Sequence, residues 1–245
     1  MGKILAVLLS FIYYIAFGSV LFFFHVIQWI AFYFVSYQAH KATVDLLNFF
    51  ILRCLDLLGT RIVLKFKETL PLDCSLLFVV NHQSTYDIPP LIWYLRKHHP
   101  KFISKKELGK GIPSVSFNLR HGGSVLIDRK KPKKALELIR AFGKDIYAKK
   151  YSAVIFPEGT RSRDGNPKKF QKSGLLTLFK SMPDALVVPV SVNNSWQFGR
   201  YNYFPMPLGV KLKITVHAPL EIDHQSPVDF IEKLEKHLHK EILQY

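Results

Sequence analysis

SLLFVVNHQSTYD, residues 75–87, decides the fold. SLLFVVN at 75–81 is a continuous apolar run, the pattern of a strand covered by helices on both faces. The polar NHQST that follows reads as a turn, and Asp87 stands at the expected start of a helix from about Ile88 to Lys97. Working outward, RIVLKFK at 61–67 and VKLKITVH at 210–217 alternate apolar and polar residues, as half-exposed strands do. A short strand is expected at Lys101–Ser104, and GSVLID at 123–128 reads as another buried one. SAVIFPEG at 152–159 reads as strand then turn, and LVVPVSV at 186–192 as a strand. Helices are expected over His40–Leu58, from Pro132 onward with Leu138, Ile139, Phe142 and Ile146 on one face, and around Leu175–Lys180. A last helix is capped by Ser226-Pro227, with Phe230, Leu234, Leu238 and Ile242 repeating at i+4. Strands alternating with helices predict an α/β fold, a mixed and largely parallel sheet covered by helices.

Ahead of this body, ILAVLLSFIYYIAFGSVLFFFHVIQWIAFYFVSY (Ile4 to Tyr37) carries no charge. It is more than twice the 7–15 residues of a signal peptide's apolar core and lacks a small-residue end. As a helix it would run to about 50 Å, longer than the roughly 30 Å of one upright span. Two helices, or a span followed by an interfacial helix, are therefore expected, with a bend at Gly18-Ser19. Residues 1–39 form a membrane anchor in this reading and 40–245 the functional domain.

The chain has 245 residues with Lys and Arg outnumbering Asp and Glu by 34 to 18, a net charge of +16. One domain with an anchor fits that length; two large domains do not. Apart from Lys3 the charge sits on the body, which should seek anionic partners. No zinc-finger spacing or RNP-type aromatic pattern is present, so nucleic acid is not an expected partner. Cys54 and Cys74 are too few for a disulfide framework and read as buried thiols in a reducing compartment. Glycine-rich P-loop, GxSxG and HExxH patterns are absent, and the ten histidines show no metal-ligand spacing, so no metal is expected. His98-His99 read as surface residues near a helix end.

Four blocks carry chemistry. In the first, His82 directly follows the central strand and Asp87 lies five residues on. A strand-to-helix turn can fold back, so the carboxylate can hold one imidazole N–H and leave the other nitrogen free as a general base. The hydroxyl to be activated would then belong to a substrate. In the second, ten basic and two acidic residues lie between Lys101 and Lys134, including Lys105 and Arg129. In the third, FPEGTRS at 156–162 ends a strand at the edge where open α/β sheets bind ligands. There Gly159 allows close backbone approach and Arg161 offers a planar fork for phosphate. VPVSV at 188–192 is the fourth.

Together NHQSTYD, SKKELGKGIP with IDR, FPEGTRS and VPVSV resemble the four motif blocks of the glycerolipid acyltransferase family, in particular its 1-acyl-glycerol-3-phosphate acyltransferases. Ser116 stands where many members carry glycine. The resemblance implies His82 as general base and Asp87 as its orienter. It implies Lys105, Arg129, Glu158, Gly159, Thr160 and Arg161 as the residues that hold a glycerol phosphate, and Val188–Val192 as part of an acyl-binding wall. It implies transfer of an acyl group from acyl-CoA or acyl-acyl carrier protein to an anionic lysolipid, with no cofactor and no acyl-enzyme, at the cytoplasmic face of the cell membrane. Another lysolipid as acceptor, hydrolysis, and a non-catalytic membrane-surface role are the competing readings.

Overall fold

The computed structural model describes residues 2–242; Met1 and residues 243–245 lie outside it. Seven strands form one sheet: β1 (Arg61–Phe66), β2 (Leu76–Val80), β3 (Pro100–Lys105), β4 (Val125–Ile127), β5 (Ser152–Ile155), β6 (Leu186–Asn193) and β7 (Lys211–Val216). Their order is β1-β7-β6-β2-β5-β3-β4. Every neighbouring pair is parallel except β6 with β7, so five strands run one way and β1 and β7 the other. The mixed, largely parallel α/β sheet expected from the sequence is the fold observed.

The apolar run at 75–81 is central because neighbours cover both its faces. Strand side chains alternate between faces. Leu77 and Val79 join Ala153, Ile155 and Val187 against helices α5 (Pro132–Ala148), α6 (Lys172–Ser181) and α7 (Pro227–Glu241). Leu76, Phe78 and Val80 join Val154, Val188 and Val190 against α2 (Tyr37–Asp56) and α3 (Ile88–Tyr94). β4 departs from the expectation. Val125 and Leu126 are only half-buried, because β4 is an edge strand with one neighbour. Ser226 sits at the N-cap of α7 but its side chain makes no cap bond. Asp223 instead orders the turn ahead of the helix, accepting from the Gln225 and Ser226 N–H groups at 3.0 and 2.9 Å. Within α7, Ile231 rather than Phe230 is fully buried.

The N-terminal helix α1 (Gly2–Ile30) runs through Gly18-Ser19 without the expected bend. One π-helical turn (Ala31–Val35) extends it, and the break comes at Ser36, whose extended backbone and side chain cap α2. Over residues 2–35 the helix is long and apolar enough to cross a membrane. Its polarity is inverted: Ser10 and Gln28 are buried against the body, while Ile4, Ile15 and Phe22 face outward. In water that arrangement would leave large apolar side chains solvated; against lipid it buries them.

Two smaller expectations are corrected. His99 is not a surface residue: it stacks between Tyr37 and Tyr151, with its Nε2 at 2.9 Å from the Tyr37 hydroxyl. That burial pushes its pKa down to about 3. Cys54 is buried, but Cys74 is only partly so.

Candidate active site

Because β2, β3, β4 and β5 run parallel, their carboxyl ends share one edge of the sheet. The first block leaves β2 there. Ser84 caps a 3₁₀ turn (Thr85–Asp87) in a capping box, which folds Asp87 back under the strand end. His82 Nδ1 lies 2.8 Å from Asp87 Oδ2, which also accepts from the Gln83 and Ser84 N–H groups at 2.8 and 3.0 Å. Asp87 is 0% exposed. An acceptor-only carboxylate against Nδ1 makes that nitrogen the N–H donor and leaves Nε2 as the free base. Phe156 stacks on the imidazole with ring centroids 4.2 Å apart.

The third block leaves β5 beside it, and two hydrogen bonds tie the blocks together. His82 N–H donates to Glu158 Oε1 at 3.1 Å, and Ser162 N–H donates to the His82 carbonyl at 2.7 Å. Gly159 closes the turn with φ +71°, a conformation a side chain would strain. Arg129 donates to the Gly159 carbonyl across the edge.

His82, Lys105, Arg129, Thr160 and Arg161 all line one cavity of about 700 Å³, with Ile88, Ile103, Leu108 and Phe156 as apolar wall. The sequence reading missed Arg163 and Lys168, which line it too. Lys168 Nζ donates to Thr160 Oγ1 at 3.1 Å and to the Arg161 carbonyl at 2.9 Å, fixing the turn. The basic run RSRDGNPKK at 161–169 was the available signal. Ser116 shapes the loop beside the cavity: it accepts from Ile112 N–H at 3.0 Å and donates to the Leu108 carbonyl at 2.9 Å. Among the described residues no three His, Cys, Asp or Glu side chains gather to hold a metal ion.

Glu158 is placed differently from a phosphate ligand. It is 4% exposed, bonded to the His82 main chain, and its Oε2 has no hydrogen-bond partner. Burial pushes its pKa up to about 8, opposed by the His82 N–H and reinforced by Asp87. A carboxyl that is neutral near pH 7 adds no second anion beside Asp87 and braces the His82 main chain. Protonation is favoured by folding, so its contribution to stability is present below about pH 4.5 and is lost as pH rises through about 8. The Glu158 component of stability is therefore expected to fall across that window by up to about 1.4 kcal/mol per pH unit, against the rise contributed by the buried His40, His99 and His217, whose pKa values burial lowers. Glu158→Gln, which keeps the acceptor for His82 N–H, should remove that falling component and shift the slope upward between pH 4.5 and 8. Thermal unfolding of both proteins at stepped pH checks this; equal slopes would refute it.

A sheet edge that carries an imidazole–carboxylate pair beside a cavity lined by arginine and lysine defines a class, an α/β enzyme. The family model described as Acyltransferase matches residues 61–193, more than half of the chain, and the chain belongs to that family. It is 31% identical over 177 residues to a 1-acyl-sn-glycerol-3-phosphate acyltransferase of Helicobacter pylori (strain J99 / ATCC 700824), covering 69% of each protein. It is 27% identical over 164 residues to that of Limnanthes douglasii, covering 66% of this chain and 56% of the plant protein. The crystal structure of the 1-acyl-sn-glycerophosphate acyltransferase PlsC from Thermotoga maritima has the same fold. Its TM-score is 0.81 at 23% identity, covering 99% of this chain and 96% of that one.

Proposed function

We propose that the protein transfers a fatty acyl group from a thioester donor, acyl-CoA or acyl-acyl carrier protein, to the free sn-2 hydroxyl of 1-acyl-glycerol-3-phosphate, giving phosphatidic acid. His82 Nε2 takes the proton from the acceptor hydroxyl as its oxygen attacks the thioester carbonyl. Asp87 holds the Nδ1–H and stabilises the imidazolium that forms. The tetrahedral intermediate then collapses, the carbon–sulfur bond breaks, and the leaving thiolate takes the proton from the imidazolium. Arg161, Arg129 and Lys105 hold the acceptor's phosphate and draw in the anionic donor.

The observation that carries this reading is that His82, paired to Asp87, opens into the same cavity as Arg161 and Arg129. A base aimed at a hydroxyl and guanidinium groups suited to a phosphate then act on one small molecule. Residues 1–39 serve as the membrane anchor and 40–245 as the catalytic domain. The inverted polarity of α1 supports contact with lipid, where the acceptor resides. A water-soluble thioester donor, made inside the cell, supports a body on the cytoplasmic face. The test supplies labelled acyl-CoA and acyl-acyl carrier protein with a panel of lysolipids in vesicles. Label should appear in a diacyl phosphate from 1-acyl-glycerol-3-phosphate; preferential acylation of a lyso-aminolipid or a zwitterionic lysophospholipid would overturn the reading.

A further inference from the structure

Two hydrogen bonds into the site come from a segment outside all four motif blocks. The Ser195 hydroxyl donates to Asp87 Oδ1, the oxygen that does not face His82. Ser195 is 0% exposed, and Gln83 Oε1 accepts its main-chain N–H at 3.1 Å. Eight residues on, the Tyr203 hydroxyl accepts from Arg161 Nη1 at 3.0 Å. One strap, residues 195–206, thus touches both the orienter of the base and the arginine of the anion site.

The strap is held at many points. Asn194, Asn202 and Tyr203 have φ of +74°, +50° and +67°, a region asparagine tolerates but a bulky tyrosine adopts only where its surroundings hold it. Asn194 Nδ2 donates to the Lys211 carbonyl at 2.8 Å. The Tyr14 hydroxyl of α1 donates to the Tyr203 carbonyl, and Met206 N–H donates to Ser10 Oγ at 2.8 Å. Phe198 and Met206 are buried with Tyr13 of α1 and with Tyr86, which lies next to Asp87 in sequence.

Resting on the acyl-transfer reading above, we infer that Ser195 and Tyr203 are positioning residues, Ser195 for the His82–Asp87 pair and Tyr203 for the Arg161 guanidinium. Without the Ser195 hydroxyl, Oδ1 is a buried charged acceptor with no side-chain donor, and the carboxylate can turn away from the imidazole. Without the Tyr203 hydroxyl, the Arg161 fork loses the contact that sets its plane. The two residues therefore act on different kinetic constants.

The experiment uses the full chain in nanodiscs, with kinetics on whichever lysolipid the wild-type enzyme acylates. Ser195→Ala should lower kcat about tenfold with the acceptor KM unchanged, as loss of a hydrogen bond to a charged group does. Tyr203→Phe should raise the acceptor KM about threefold with kcat unchanged, a modest effect because the arginine itself remains. Proton NMR needs no substrate: the downfield His82 Nδ1–H resonance should shift or vanish in Ser195→Ala and persist in Tyr203→Phe. A failed choice of acceptor would show as an inactive wild type on 1-acyl-glycerol-3-phosphate while this resonance still decides the role of Ser195. An unchanged resonance with unchanged kcat in Ser195→Ala would overturn that role. An unchanged acceptor KM in Tyr203→Phe would overturn the other. A lower thermal midpoint with both constants unchanged would reduce the strap to packing and overturn both.

Discussion

Replacing His82 with alanine should reduce acyl transfer by about 10²–10⁴-fold, the usual loss for a positioned general base. The loss should fall on kcat, because the imidazole acts on the hydroxyl proton rather than on the phosphate. The fold should survive. His82 is only partly buried, and its side-chain hydrogen bond goes to Asp87, which keeps its Gln83, Ser84 and Ser195 donors. Asp87→Asn should cost nearly as much, for a different reason. Nδ1 would meet an amide that can donate, and the imidazole could settle in the wrong tautomer with its proton on Nε2. Asp87→Asn should also lower the thermal midpoint, since a 0% exposed acceptor of four hydrogen bonds is altered. Single-turnover transfer of labelled acyl groups, alongside thermal unfolding, separates the two effects. Transfer within about tenfold of wild type in a folded His82→Ala protein would remove the base from the mechanism.

The sheet was legible because its strands announce themselves by polarity. β2 is an uninterrupted apolar run and β6 a mostly apolar one broken only by Ser191 and its terminal Asn193, both with covered faces, and β7 alternates because only one of its faces is fully covered. β4 misled because an edge strand and a central one can carry the same short apolar string; burial depends on the neighbours, which the string does not encode. The bend at Gly18-Ser19 failed for a similar reason. Glycine permits a break without requiring one, and α1 stays helical through Gly18-Ser19 while Tyr13, Leu21 and Phe24 pack on the rest of the fold. Within the site, the His82–Asp87 pair could be read from spacing, because a five-residue turn limits where the carboxylate can go. Glu158 could not. Whether a carboxyl at a turn faces the cavity or the main chain depends on a turn of the backbone at Gly159 and on the His82 N–H just past the end of β2. The contacts of Ser195 and Tyr203 were hidden for the same reason: they reach the site through a loop that closes over 108 and 42 residues of sequence.

Arg161→Lys should raise the apparent KM for 1-acyl-glycerol-3-phosphate about tenfold or more while leaving the donor KM nearly unchanged, and Arg161→Ala should raise it further. A phosphomonoester presents three acceptor oxygens and nearly two negative charges. A planar guanidinium can meet two of those oxygens at once; an ammonium group cannot. In the structure the fork is already aimed. Nη1 rests on the Tyr203 hydroxyl at 3.0 Å, and Lys168 holds the Arg161 carbonyl at 2.9 Å. One contact of the guanidinium is therefore made before the substrate arrives, on a turn whose main chain Lys168 holds, so its loss removes a partly preorganised group. Losing one charge-assisted hydrogen bond in a partly enclosed cavity costs roughly 1.5–3 kcal/mol, which is tenfold to about a hundredfold in affinity. Lysine keeps the charge but not the second contact, so it should sit at the low end of that range and alanine above it. The competing outcome is informative. If the acceptor carries no phosphomonoester, Arg161 serves the donor's phosphates or only braces the 158–163 turn. The donor KM, or the thermal midpoint, would then move instead. Measuring both KM values for Arg161→Lys at saturating co-substrate distinguishes these cases. An acceptor KM that stays within twofold of wild type would take the phosphate away from Arg161 and with it the main support for 1-acyl-glycerol-3-phosphate as the acceptor.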